Sequence, residues 1–226
     1  MFESLFDGEQ LLRLWALGLV VAGLAAGVVS GFFKARKIQP KGFKWQVFRW
    51  EVFGVAVTAV ISGWVLGAMS ELLLSYGVLR TNDEPAAYWM VGLEYGLYFV
   101  LFDTWFYWLH RWMHKEPIYS WVHKWHHKST SPNLLTTFSV NPLESFVNGG
   151  FVPIFLTMAT LLGLPLHSAA VALMVPTNIV MGLYVHSGYE FLPRWWNRFW
   201  LTKWFISATF HDQHHKYFTA NFGGYT

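Results

Sequence analysis

The sequence predicts an all-α, multi-pass membrane helical bundle of about five apolar spans, two of them a hairpin, with a cytoplasmic histidine-rich helical cap. Three observations carry this. Of the 226 residues 54% are hydrophobic and only 13% charged, the apolar residues lie in runs long enough to cross a bilayer, and the histidines cluster at helical spacing beyond the ends of those runs. Such a composition excludes intrinsic disorder and a basic nucleic-acid-binding domain, so no nucleic acid partner is expected. The lack of cysteine excludes a disulfide scaffold, a thiolate zinc site, an iron–sulfur cluster and a cysteine nucleophile. Histidine is left to carry any metal or acid–base chemistry.

The elements follow in order. From Leu11 to Phe33 the one charge is Arg13, near enough to the end to reach the headgroups, and at ~1.5 Å per residue the stretch covers the ~30 Å hydrocarbon thickness. It reads as a first membrane helix. Glu3, Asp7 and Glu9 precede it, where a secretory signal would carry basic residues. The next segment holds Lys34, Arg36, Lys37, Lys41, Lys44 and Arg49 and no acid, which the positive-inside bias places in the cytoplasm, with the amino terminus outside. A second span runs from about Val52 to Met69, its apolar pattern resuming after Glu71 as far as an external polar turn over Arg80–Pro85. A third, about Ala86 to Leu109, returns inward and delivers His110 and His114 at its inner end. The apolar stretch Leu143 to Tyr184 is interrupted by Gly163, Leu164 and Pro165 and is too long for one crossing, so it reads as the hairpin. His186 and everything after it then lie in the cytoplasm, leaving only His167 at the outer turn. Gly23, Gly27 and Gly31, and the pair Gly63 and Gly67, supply flat helix faces for close packing, here within one subunit in preference to a dimer. No internal repeat or linker divides the chain, so residues 1–226 read as a single integral-membrane domain.

The histidines fall in three sets: His110 and His114 as H-x-x-x-H, then His123, His126 and His127 as H-x-x-H-H, then His211, His214 and His215 as H-x-x-H-H again. Side chains three and four residues apart lie over one another on a helix, so each set can aim two or three imidazoles at one point. At this histidine content H-x-x-H-H arises by chance roughly 0.02 times in the chain, which makes two copies a specific signal. Eight imidazoles exceed what one four-coordinate ion uses, so two metal ions are expected. Imidazole suits zinc, copper, iron and nickel alike, and leaves the metal open.

This order of motifs, with the isolated His186 between the last two sets, resembles the fatty acid hydroxylase superfamily, which includes sterol desaturases, methylsterol oxidases, sphingolipid and fatty acyl hydroxylases and alkylglycerol monooxygenases. The likeness covers about residues 101–223, the histidine-box region. It rests on Asp103, Tyr107, His110, Arg111 and His114; on His123 to His127 followed by Ser131 and Pro132; on Asn141 to Glu144; on His186 to Tyr189; and on His211, His214 and His215 with Asn221 to Gly223. Members commonly continue past that last block into a further tail, whereas this sequence stops at Thr226. The resemblance implies a membrane di-iron enzyme that hydroxylates or desaturates a lipid with O2 and electrons from a separate carrier of cytochrome b5, ferredoxin or rubredoxin type. It implies as ligands His110, His114, His123, His126, His127, His186, His211, His214 and His215, at the cytoplasmic face of a bacterial inner membrane or of the endoplasmic reticulum.

Oxidising an unactivated C–H bond needs a metal that changes valence, which favours iron over zinc in such an oxygenase. Hydroxylation is the reading adopted and desaturation its alternative, because the two differ only after the first hydrogen abstraction. Ligating imidazoles need their second nitrogen oriented, and Asp103 and Tyr107 share a helix stripe with His110 and His114. Asp103 is therefore an expected orienting carboxylate, against an ion pair with Arg111. Asn141, Glu144 and Asn221 stand beside the site as further candidates, with helix capping as the competing account. Glu94, deeper in the same span, is an intramembrane acid that is functional or satisfied in packing. Trp195, Trp196, Trp200 and Trp204 with Arg194, Arg198 and Lys203 suggest an amphipathic helix at the headgroups. The rival from another class is a metal-ion transporter, but carriers place their ligands near midspan, in broken helices.

Overall fold

The structure is a computed structural model that describes residues 36–39 and 44–226. The expected first span over Leu11–Phe33, its glycines Gly23, Gly27 and Gly31, and Lys34 and Lys41 of the basic segment lie outside the described residues. The described residues are helical, with no strand among them and only the isolated bridges Lys37–Tyr189 and Asn82–His167.

Helix α1, Trp45–Val60, runs without a break through a π-helical segment, Ile61–Leu66, into α2, Gly67–Ser75. The expected second span, about Val52 to Met69, is thus one turn or more longer at each end. The π segment faces α5, Pro142–Leu161, where Leu66 fills the space that a side chain on Gly149 would occupy. Helix α3, Tyr88–Met113, delivers His110 in its last turn and His114 as its C-cap. A short α4, Ile118–Trp121, and two 3₁₀ turns, His123–Lys128 and Leu134–Phe138, carry the chain across to α5. There Pro142 takes the first helical position, and the Asn141 side chain accepts the Leu143 N–H at 2.9 Å. Helix α6, Ser168–Val185, ends on His186, and α7, Ala208–Tyr217, holds the last histidines.

Both α2 and α5 stop in the same way. Gly77 and Gly163 take φ of +65° and +75°, and the next amide reaches back, Val78 N to Leu73 O and Leu164 N to Ala159 O, each at 2.9 Å. The stretch expected as a hairpin is thus two helices, broken where Gly163 and Pro165 require it. Their main contacts lie elsewhere, α5 against the π segment and α6 against α3. At the core where α3, α5 and α6 meet, Tyr98, Phe102, Leu156, Met174 and Tyr225 are buried, with Phe102 edge-on to Phe151 at 5.4 Å.

Two described helices, Trp45–Ser75 and Ser168–Val185, are long and apolar enough to cross a membrane. At 26 and 20 residues α3 and α5 have the length, but Glu94 and Asp103 in one and Glu144 and Asn148 in the other lower their hydropathy. Large apolar side chains such as Trp64, Leu72, Leu93, Val100, Ile154 and Val180 face outward, as in a bundle whose solvent is lipid. The amphipathic helix expected around Trp195–Trp204 is not formed. Residues 193–205 make successive turns, because the Thr202 hydroxyl donates at 2.7 Å to the Trp196 carbonyl, which a helix would pair with the Trp200 amide. Trp195, Trp200 and Trp204 are exposed all the same.

A Cβ on Gly54 of α1 would run into Ser139 Oγ and meet its Cα at 3.0 Å, so α1 touches backbone there. Gly54→Ala is expected to lower stability by about 1–3 kcal/mol through overpacking. Thermal unfolding of the variant in detergent, against wild type, measures the loss.

Candidate metal centre

Four elements bring nine histidines together: the end of α3 (His110, His114), the first 3₁₀ turn (His123, His126, His127), the end of α6 (His186) and α7 (His211, His214, His215). These nine are the residues singled out from the sequence. They form two groups, His110, His114, His123, His127 and His214 in one and His126, His186, His211 and His215 in the other, with the ligand atoms of each group within 4.8 Å of one another.

The expectation that each set aims at a single point is corrected. Both H-x-x-H-H sets feed both groups. On α7, His211 and His215 are four apart and share a face, while His214, ~100° round the helix from His215, points to the other group. In the 3₁₀ turn, too, His126 goes to one group and His123 and His127 to the other.

The ring orientations have a common cause. Nδ1–H donates to a fixed acceptor in six rings: His110 to Phe222 O (2.9 Å), His123 to Glu144 Oε2 (3.0 Å), His126 to Ser139 O (3.4 Å), His186 to Gly182 O (2.8 Å), His214 to Ala220 O (2.7 Å) and His215 to Ser129 O (3.1 Å). A neutral imidazole whose proton sits on Nδ1 presents a bare lone pair at Nε2. The Nε2 atoms of these six and of His114, His127 and His211 converge. His214 and His114 meet at 3.1 Å, His127 and His123 at 3.0 Å, and His211 and His186 at 2.9 Å. The Nε2 atoms of His110 and His215 are buried with no hydrogen-bond partner. Lone pairs held face to face at this range repel one another unless a cation lies among them, so the donor set fits metal ions.

The other candidates divide. Glu144 is buried and accepts from His123 Nδ1 at 3.0 Å. Asn141 caps α5. Tyr107 accepts from Arg111 at 2.9 Å and meets no imidazole. Asn221 donates to Phe210 O at 3.0 Å, in the segment that follows α7. Asp103 does not orient a ring directly; Oδ1 accepts the Tyr225 N–H at 2.7 Å, and a backbone carbonyl orients His110 in its place. Glu94 lies at the other end of α3, accepting His167 N at 2.9 Å and His167 Nδ1 at 2.7 Å, so Glu94 and His167 are each other's partners away from both groups.

Sequence reasoning missed Glu51. It is 1% exposed in an apolar helix and accepts from Ser129 Oγ (2.6 Å), Thr136 Oγ1 (2.9 Å) and Asn133 Nδ2 (2.9 Å), fixing the turn whose Ser129 carbonyl holds His215. An acid at the start of an apolar run was the available signal. Beside the histidines a cavity of about 280 Å³ runs between α1, α3, α5 and α6, lined by His110, His123, His126 and His211 at one end and by apolar groups such as Leu66, Val152 and Val175.

Burial pushes His123 and His126 down to about 3 and His214 to about 4, and also lowers His127, His211 and His215, whose neighbouring imidazoles add to the effect. All stay neutral at pH 7, the form a metal ligand requires. Their folded values lie below the ordinary 6.5, so between the two the unfolded chain binds more protons. Stability present above about pH 6.5 is therefore lost as pH falls toward about 3. For chelator-treated protein the unfolding temperature should hold from about pH 8 to 7 and drop steadily below about 6.5, each ring contributing up to ~1.4 kcal/mol per pH unit. A midpoint unchanged at about pH 5 contradicts neutral buried rings.

The family model for fatty acid hydroxylase matches residues 95–226. A methylsterol monooxygenase of Aspergillus fumigatus is 26% identical over 198 residues, 85% of this chain and 64% of that protein. A C-4 methylsterol oxidase of Schizosaccharomyces pombe is 29% identical over 84% of the chain and 63% of its own length. A very-long-chain aldehyde decarbonylase of Oryza sativa subsp. indica is 32% identical over 68% of the chain and 57% of its length. The chain thus spans less than two thirds of these relatives. No solved structure gives a significant match. With the matched region running from mid-α3 through the last histidine set and containing both imidazole groups, the chain belongs to the fatty acid hydroxylase family.

Proposed function

We propose that the chain is a membrane-bound non-haem di-iron oxygenase that hydroxylates a C–H position of a lipid with O2 and electrons from an external carrier. The single observation behind this is the juxtaposition of two groups of converging neutral imidazoles with an apolar cavity inside a lipid-facing bundle. His110, His114, His123, His127 and His214 would hold one iron, and His126, His186, His211 and His215 the other. Bound there, iron would supply the redox chemistry that activates dioxygen toward an unactivated C–H bond.

The chain's own part is positional. Glu144 and the carbonyls of Ser129, Ser139, Gly182, Ala220 and Phe222 hold the protons of six rings, so those six lone pairs point inward. The cavity places an apolar segment of substrate against His110, His123, His126 and His211 and keeps water from it. A lipid reaches it sideways from the bilayer. The sterol and long-chain aldehyde names of the relatives favour a lipid substrate. We further assign α3, α5 and α6 to three of five spans, α5 and α6 to an inward-opening hairpin, and the imidazole groups to the cytoplasmic face, where a carrier of cytochrome b5, ferredoxin or rubredoxin type reaches them. The basic residues Arg36, Lys37, Lys44 and Arg49 lie on that side by the positive-inside bias. A metal transporter fits less well, because the ligands sit at helix ends and beyond.

Lipids from cells with and without the protein test the reaction: a gain of one oxygen supports hydroxylation, a loss of two hydrogens desaturation, and no change in any lipid refutes both. His126→Ala should abolish the product while the protein stays in the membrane fraction. Glu144→Gln, which weakens the acceptor for His123, should reduce iron affinity by about 10- to 100-fold, read as iron retained after dialysis against a chelator.

A further inference from the structure

We infer that the segment after α7 is a latch for one of the two imidazole groups and that Asp103 is the positioning residue that fixes it, an inference that rests on reading the groups as metal sites. At the end of α7 the chain turns back through Phe218 and Asn221, with φ of 63° and 59°, and Asn221 donates to Phe210 O at 3.0 Å. Two carbonyls of this segment then orient ligands: Ala220 O accepts from His214 at 2.7 Å, and Phe222 O from His110 at 2.9 Å. The Phe222 ring packs 5.0 Å from His114 and 5.4 Å from His214. All three histidines belong to the five-imidazole group. The oriented rings of the other group, His126, His186 and His215, take their acceptors from Ser139, Gly182 and Ser129, none of them in this segment.

Asp103 anchors the far end. Its Oδ1 accepts Tyr225 N at 2.7 Å and Thr226 N at 3.3 Å, and Oδ2 accepts the Thr226 hydroxyl. The Tyr225 ring, 2% exposed, stacks on Phe99 at 4.4 Å, and its hydroxyl donates to Asn178 Oδ1. Asp103 and His110 are seven residues apart on α3, about 10.5 Å along the helix, and the segment from Phe222 to Tyr225, which bends at Gly224, bridges them. Asp103 thus reaches His110 by way of the strap that carries the Phe222 carbonyl. Gly223, Gly224 and Tyr225 also wall the cavity, and a Cβ on Gly224 would strike Phe106 at 2.8 Å, so the strap lies flush on α3.

The test is an anaerobic titration of the purified full chain in detergent with ferrous iron, counting ions per chain. Wild type should bind two. Asp103→Leu should keep one at wild-type affinity and weaken the other by about 10- to 100-fold, whereas Asp103→Asn, which retains an acceptor for the Tyr225 amide, should bind both nearly as wild type does. Tyr225→Ala loosens the same anchor and should give the same selective loss if Asp103→Leu does not fold. His211→Ala should weaken the other ion. Hydrogen exchange on Asp103→Leu should speed up over residues 218–226 and stay unchanged over 123–128. Equal weakening of both ions, or of neither, overturns the latch. A wild-type chain that takes up no iron overturns the metal reading itself and the latch with it.

Discussion

The structure depends on where six ring protons are. An acceptor at a fixed place behind the ring keeps the proton on Nδ1 and leaves the Nε2 lone pair free. The end of α3, the 3₁₀ turn over His123–Lys128, the end of α6 and α7 are placed so that His110, His123, His126, His186, His214 and His215 each meet such an acceptor. Among the described residues, the acceptors are mostly main-chain carbonyls, so the ligand geometry is tied to backbone geometry. Helix ends suit this use, since their last carbonyls have no partner within the helix, although Gly182 O serves His186 while also accepting the His186 amide at 3.2 Å.

A cluster of neutral, buried imidazoles is costly in an apolar bundle, and the polar groups around it reflect that. Glu51 is surrounded by three hydrogen-bonding side chains just ahead of the apolar run of α1. It gathers Ser129, Asn133 and Thr136 from the loop that follows the second histidine set, and so ties α1 to the position of His215. A lost acceptor here would leave several buried donors unsatisfied at once, each costing about 1–3 kcal/mol. Polar burial on this scale explains why α3 and α5 fall short of membrane-span hydropathy even though their outer faces are apolar.

Legibility in the sequence followed from what side chains record and backbones do not. The nine histidines were legible because imidazole spacing is written in residue types, and Glu144 because an acid begins a helix next to them. The break between α5 and α6 was legible from Gly163 and Pro165. The carbonyls of Ser129, Gly182, Ala220 and Phe222 leave no mark in composition, so the partner of His110 was sought in Asp103, the one carboxylate on its stripe. Periodicity suggested a helix at Trp195–Trp204 because a turn that consumes one carbonyl with the Thr202 hydroxyl has the same pattern of aromatics. The division of each H-x-x-H-H set was hidden for another reason: spacing shows which rings share a face, and not how many groups of rings meet around the helix.

That division has a structural consequence. Because His126 and His127 are consecutive, as are His214 and His215, each short element is shared by both groups and cannot shift to serve one without moving the other. The groups are therefore set at a fixed separation by two turns of backbone, with no domain or loop interposed. What differs between them is the support behind the rings. The four-imidazole group is backed by the loop and by α6, which are built around Glu51 and the bundle, whereas the five-imidazole group takes two of its acceptors from the segment beyond α7. His110, His123, His126 and His211 all face one cavity, so both groups border it together. Gly223 and Gly224 line the same cavity, so the segment that supplies two acceptors to one group also shapes the space that both groups share.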